Sequence, residues 1–286
     1  MTAEAFCYRR ILAAVNEHSN SELAARYALS LAQACGARLS LVFVAQDRVT
    51  PEALHRAEAS LERLFTEAAE RSLEVESIVQ RGRPLDRIRE LVAERGIDLV
   101  FAATRREDVA RRYFTRTQAR ELMLHLPCSV ALVRLVHPGR VHPRRILVPF
   151  RGHLTRLEER GHFVARLAQV FGAQVTLFHA PRSLTGFFHG ELHLRPAERE
   201  AFVPEDMEKF IRSLQHHQVA HDRRLGHGRV GAAIAVEAAL RRSDLIVMGA
   251  SERGLLRSLL SGNPVEEVLQ ESPCNLIIFM PRLDRS

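Results

Sequence analysis

The chain has no tryptophan, three tyrosines and a single lysine, Lys209, among its 286 residues. Without an aromatic stripe for bases to stack on, a module for single-stranded nucleic acid is not expected. Four cysteines, Cys7, Cys35, Cys128 and Cys274, lie far apart in the chain with no CxxC pair. That spacing argues against a disulfide framework or a zinc ribbon and reads as reduced, mostly buried thiols. No apolar run approaches the roughly 18 residues of a membrane span, and the opening "MTAEAFCYRR" has no signal-peptide core. The expected location is the cytoplasm, with no membrane partner. Neither GxSxG, HExxH nor a Walker lysine occurs, and Ser251, Ser258 and Ser261 have no evident base.

What is present is the balance of a globular protein: 46% hydrophobic and 26% charged residues, in a length that suits two domains. The formal charge of +7 rests on arginine. Arginine suits planar recognition of phosphate or carboxylate, but G- and C-rich codon usage also favours it, so charge alone does not imply nucleic acid.

The chain is one unit written twice. "GIDLVFAATRRED" from Gly96 aligns without a gap on "RSDLIVMGASERG" from Arg242, and "LPCSVALV" from Leu126 aligns on "SPCNLIIF" from Ser272. Asp98 and Asp244, Cys128 and Cys274, and Gly82 and Gly228 are each 146 residues apart. Earlier landmarks are closer: Ile11 and Ile146 are 135 apart, Gly36 and Gly172 136. The second copy therefore carries an insertion of about ten residues, placed in the Pro- and Gly-bearing stretch 181–196. The boundary falls in "VHPGRVHPRR", giving domains at 1–137 and 143–286.

Within the first copy "RILAAV", "RLSLVFV", "EVESIV", "DLVFAA" and "SVALVRL" read as strands. The stretches 20–36 and 51–72 carry apolar residues at helical spacing, and Gly36 stands where a C-cap belongs. Alternating strands and helices imply right-handed crossovers and a mostly parallel sheet covered on both faces. The expected architecture is α/β: two tandem open α/β sandwiches, each with a mostly parallel five-stranded sheet. A ligand would sit beyond the carboxyl ends of the strands, where strand order reverses.

The openings "RRILVPFRG" and "RRILAAVNEHSNSELA", the block "DLIVMGASERG…LLSGNPVEEVL" and the closing "SPCNLIIF" and "LPCSVALV" together resemble the universal stress protein (UspA-like) superfamily in its tandem two-domain form. Nucleotide-binding members resemble one another in a loop of Gly, two residues, Gly, nine residues, Gly, then Ser or Thr. There bare main chain and a helix N-terminus face the phosphates. In the second copy these positions are Gly249, Glu252, Gly262 and Asn263; in the first they are Ala103, Arg106, Arg116 and Thr117. The resemblance implies an adenine nucleotide such as ATP in the second half, contacted by Pro149, Met248, Gly249, Ser251, Arg253, Gly262, Asn263 and Val265. Two departures oppose it. Glu252 brings a carboxylate, and the aspartate that ends the first strand in ATP-holding members is Asn16 here and Arg151 in the second copy, with His153 close by. "SGNPVEEVL" also reads simply as a helix capped by Asn263 with Pro264 in its first turn. The resemblance further implies that "SVALVRL" and "NLIIFMP" pair within the chain, as last strands pair between single-domain relatives.

In the first copy Arg105, Arg106 and Arg116, with Arg111, Arg112 and Arg120, either clamp an anion or form a solvated face offset by Glu107, Asp108 and Glu121. His216, His217, His221, Asp222 and His227 crowd one stretch, but a helix end and a new strand separate His217 from His221. They read as surface histidines, with a transition-metal site including His189 and His193 as the alternative. Three functions compete: a non-catalytic stress-response sensor or adaptor that binds an adenine nucleotide or another anion in its second half, a purely structural adaptor, and a weak nucleotide hydrolase. The implied partners are the two halves for each other, with a homodimer and unidentified proteins left open.

Overall fold

The computed structural model describes residues 6–47, 49–104, 117–139, 141–150, 155–179, 205–226, 229–250 and 264–282. In the first half the strands are β1 (Arg10–Val15), β2 (Arg38–Ala45), β3 (Val75–Arg81), β4 (Leu99–Ala103) and β5 (Ser129–Arg134). Its helices are α1 (Ser19–Cys35), α2 (Pro51–Glu70), α3 (Pro84–Arg95) and α4 (Gln118–His125). The second half adds β6 (Arg145–Phe150), β7 (Gln174–His179), β8 (His221–Leu225), β9 (Leu245–Gly249) and β10 (Asn275–Met280). Its helices are α5 (Leu157–Phe171), α6 (Glu205–His216), α7 (Val230–Leu240) and α8 (Pro264–Glu271). The insertion expected at 181–196 lies outside the described residues. Among the described residues no helix is long and apolar enough to cross a membrane.

The five strands expected of each half are present, and the two sets fuse into one sheet of order β3-β2-β1-β4-β5-β10-β9-β6-β7-β8. Within each half all pairings are parallel. The seam is antiparallel: Ile278 opposes Leu132, Leu276 opposes Arg134 and Met280 opposes Val130. Leu132 and Ile278 are equivalent positions of the repeat, so a local two-fold passes through their pair. Pairing β5 with β10 removes two edges that would otherwise present unpaired amides. The outer strands carry charge, Glu76 and Arg81 on β3 and Arg223 and Arg224 on β8, as suits edges that stay single.

Period-two alternation on the inner strands feeds two cores. On β10, Ile277 and Phe279 face the layer of α1, α2, α5 and α6, while Leu276, Ile278 and Met280 face that of α3, α4, α7 and α8. Helix α1 presents Ala24, Tyr27, Ala28 and Leu31 at helical spacing, all buried. It ends at Gly36, whose φ of 63° is left-handed and whose amide returns to Ala32 and Gln33. Gly172 ends α5 in the same way, at φ 58°.

The aspartates that mark the repeat have a structural task. Asp98 Oδ2 accepts the amide of Arg9 at 2.7 Å, and Asp244 Oδ2 accepts those of Arg144 and Arg145 at 2.9 and 3.0 Å. Each carboxylate, placed just before β4 or β9, ties down the entry of the neighbouring first strand.

Candidate functional site

Strand order reverses between β1 and β4 in the first half and between β6 and β9 in the second. The crevice at the carboxyl ends of these pairs is the ligand position of an open parallel sheet. In the second half it is bounded by Pro149 and Phe150 at the end of β6 and by Met248, Gly249 and Ala250 at the end of β9.

Arg160, on the first turn of α5, reaches into this edge. It lies in line with Phe163, Val164 and Leu167 on the buried stripe of the helix and is 5% exposed. Its Nη2 donates to Ala250 O at 2.8 Å, Nη1 to Phe279 O at 3.3 Å and Nε to Thr155 O at 2.9 Å. The guanidinium also lies 6.0 Å from the centre of the Phe279 ring. Among the described residues no carboxylate lies within ion-pair distance of it. Burial pulls its pKa down to about 10, against the opposing influence of Glu159 and Tyr8, so the group stays a cation at neutral pH.

Gly249 makes room for that cation. A Cβ built on Gly249 would collide with Arg160 Nη1 and stand 3.3 Å from Cζ. The first half shows the exchange in reverse: Ala24 occupies the position of Arg160, and Ala103 that of Gly249. A small helix residue with a Cβ on the strand, or an arginine with bare strand, are two solutions to one volume.

Next to Arg160, Glu159 is a buried carboxylate shared by both halves. It accepts the Tyr8 hydroxyl at 3.2 Å, the Ser129 hydroxyl at short range, and Arg156 Nε at 3.3 Å. Burial, with Glu159 beside it, pushes the Tyr8 phenol well above its usual range. Ser129 Oγ in turn accepts the amide of Arg282 at 2.7 Å. The image of that bond across the two-fold is Asn275 Oδ1, which accepts the amide of Val136 at 2.9 Å.

The profile of the Universal stress protein family matches residues 7–134 and again residues 143–279. The chain belongs to the universal stress protein family. Among solved structures, a universal stress protein from Archaeoglobus fulgidus DSM 4304 is 16% identical at a TM-score of 0.63, with 97% of each chain covered. A candidate universal stress protein from Pseudomonas aeruginosa UCBPP-PA14 is 18% identical over 96% of this chain and 94% of its own, with a TM-score of 0.63. The fold recurs at 11% identity in the cytoplasmic domain of a prokaryotic cation chloride cotransporter, over 97% of this chain and 96% of that one at a TM-score of 0.56. No curated protein matches the chain.

In this universal stress protein, the residues that the resemblance assigns to a nucleotide divide into two groups. Ser251, Arg253, Gly262 and Asn263 lie outside the described residues, as do Arg105, Arg106 and Arg116, the separate anion clamp considered for the first half. So do Glu107, Asp108, Arg111, Arg112, Arg151, His153, His189, His193, His227, Glu252, Ser258 and Ser261. Of those described, Gly249 is exposed and Pro149 half-buried at the crevice, while Met248 and Val265 are buried in the core shared with α7 and α8. Helix α8 begins at Pro264, as its sequence reads. In the first half Thr117, the counterpart of Asn263, caps α4 by accepting the amide of Arg120 at 3.2 Å. Asn16 accepts the amide of His18 at 2.9 Å and so spends its side chain on the turn into α1.

Sequence reading missed Arg160 and Glu159. Helical spacing offered the signal for the first: residue 160 falls on the stripe of Phe163, Val164 and Leu167, where the first copy has alanine. The expectation of mostly buried cysteines holds for Cys128 and Cys274 and fails for the other two, because Cys7 is exposed and Cys35 half-buried. His217 and His221 do part company, His217 following α6 and His221 opening β8.

Proposed function

We propose that this universal stress protein is a cytoplasmic, non-catalytic stress-response sensor or adaptor whose second half takes an adenine nucleotide or another anion at the β6–β9 crevice. The observation that carries this reading is Arg160: a buried guanidinium, bonded to main-chain carbonyls, sets a fixed positive charge at the end of β9. A buried cation with no carboxylate partner among the described residues carries a desolvation cost, which an arriving phosphate or carboxylate offsets. Of the residues that the family resemblance assigns, Gly249 and Pro149 lie at that edge, and Ser251, Arg253, Gly262 and Asn263 follow in the chain. The first half is the scaffold: Ala103 has replaced the glycine, Asn16 is used in its own turn and Thr117 in its own helix cap.

One observation favours a second reading, a structural adaptor with nothing bound. Arg160 fills the space that a glycine opens in a phosphate-cradling loop. Thermal unfolding in the presence of ATP, AMP or inorganic phosphate separates the two, since a ligand that binds only the folded chain raises its melting temperature. A saturable rise with a nucleotide, together with a co-purifying small anion in mass spectra of the native protein, is the expected result. An unchanged melting temperature with all three and no bound anion would leave the adaptor.

A further inference from the structure

Cys7, Cys35 and His162 stand together although they are distant in sequence. One ligating atom from each lies within 4.8 Å of the others, and Cys35 Sγ is 3.7 Å from His162 Nε2. Cys7 precedes β1 and Cys35 closes α1, both in the first half; His162 comes from α5 of the second. The cluster therefore bridges the junction where α1 packs against α5.

The geometry points to a binding site for a thiophilic d10 cation, Zn2+, held by Cys7 Sγ, Cys35 Sγ and His162 Nε2 and clipping the two halves together. In a tetrahedral zinc site, bonds of about 2.3 Å to sulfur and about 2.0 Å to nitrogen set sulfur and nitrogen about 3.5 Å apart. The 3.7 Å between Cys35 and His162 needs little adjustment, and the spacings to Cys7, within 4.8 Å, have to close by roughly 1 Å at most. Three protein ligands leave the fourth position to water, an arrangement zinc accepts.

The repeated fold does not itself require these residues. At the symmetry-related place, the counterparts of Cys7 and Cys35 are His142 and Phe171, whose rings meet edge-on at 5.7 Å, and the counterpart of His162 is Arg26. Packing alone satisfies that copy. On the cysteine side the walls are the rings of Phe6 and Tyr8, at 5.6 and 5.9 Å from the His162 ring, with His217 at 5.4 Å.

Protonation favours a metal at the imidazole and opposes it at the thiol. Burial, with Arg166 and His217 nearby, pulls the His162 imidazole down to about 4, so its ring nitrogen offers a lone pair rather than a proton at neutral pH. Burial, reinforced by Cys7, pushes the Cys35 thiol up to about 12, so its deprotonation is a cost that the Zn–S bond has to exceed. Binding forms two Zn–S bonds and one Zn–N bond and releases the two thiol protons to solvent. Two thiolates, one neutral imidazole and Zn2+ sum to a neutral unit, so the filled site adds no charge to the interior. Arg166 is the nearby cation that a positively charged alternative would have to face.

The test uses the reduced, chelator-treated full chain. Co2+ is expected to bind at one equivalent and give a thiolate-to-cobalt charge-transfer band that Zn2+ then abolishes. With Zn2+ bound, Cys7 and Cys35 should lose their alkylation, and proton release should match two thiols. Cys7 is exposed, so Cys7→Ser should fold normally and lose the band, while Cys128→Ser keeps it. The inference is overturned if the Cys7→Ser chain still shows the band, or still takes up Zn2+ at one equivalent through surface histidines such as His216. Equal alkylation of Cys7 and Cys35 with and without Zn2+ also overturns it. None of these outcomes bears on the anion at the β6–β9 crevice.

Discussion

Arg160 and Gly249 share one volume, with Arg160 Cζ lying 3.3 Å from where a Cβ on Gly249 would be and Nη1 closer still. The guanidinium cannot retreat freely, because Ala250 O, Phe279 O and Thr155 O hold it from three sides. Gly249→Ala should therefore destabilise the chain by about 1–3 kcal/mol, the range of overpacking. In an Arg160→Leu background the same alanine should cost much less, as Ala24 and Ala103 coexist in the first half. Urea unfolding of the four chains in a double-mutant cycle measures the coupling, and simple additivity would refute the shared-volume account.

Asn275 locks the second half to the chain that leaves the first. Its Oδ1 accepts the amides of Val136 and His137, both at 2.9 Å, in a residue with no exposed surface. Asn275→Ala leaves two amides without their acceptor and should lower stability by about 1–3 kcal/mol. Because β5 and β10 share one sheet, the loss should appear in a single cooperative transition, followed by circular dichroism and by fluorescence of the three tyrosines. Two separated transitions would show that the halves unfold independently.

Much of this could be read from the sequence, for a physical reason. β1 occupies the six residues of "RILAAV", and α1 ends at Gly36, because strand runs and left-handed caps are local signals. The pairing of the two last strands was implied by the family resemblance, but its register about Leu132 and Ile278 comes from the structure alone. The site was less legible. Gly249 looks like a phosphate glycine, and only the fold shows that a helix residue 89 positions earlier fills its space. The meeting of Cys7, Cys35 and His162 depends on α1 packing against α5, which no spacing in the chain encodes.

Acid should weaken the contact between α1 and α2. Glu22 accepts Arg63 Nη2 at 2.7 Å, Arg63 Nε at 3.2 Å and Ser60 Oγ at 3.0 Å, with Arg26 at 3.3 Å. Burial alone would raise its pKa, but the bonds from Arg63 and Ser60 and the charges of Arg63 and Arg26 outweigh it and hold the carboxyl below the usual glutamate range. The folded value is thus lower than the unfolded one. The contribution is complete above the unfolded pKa of about 4.3 and is lost as pH falls through the folded pKa. Glu22→Gln should cost about 1–2 kcal/mol at neutral pH, an amount kept small by the exposure of Arg63. The difference from the unmodified chain should shrink as urea midpoints are measured from neutral pH down through the acid range. A gap that stays constant with pH would remove the charge from the explanation.

The last prediction concerns the seam. Five register pairs join β5 to β10, and their side chains feed both cores. In the intact chain this pairing is intramolecular, so its strength does not depend on how many molecules are present. The melting temperature should be unchanged across about a hundredfold range of protein concentration. Cutting the chain at a protease site engineered between 137 and 143 leaves every contact of the seam in place but makes the pairing bimolecular. The nicked protein should stay associated at high concentration, and its melting temperature should rise with concentration, because dilution now favours separated halves with exposed β5 and β10 edges. If the nicked chain melts at one temperature at every concentration, the seam is not what unites the two halves, and the weight falls on the packing of α1 against α5 and on the bonds to Glu159.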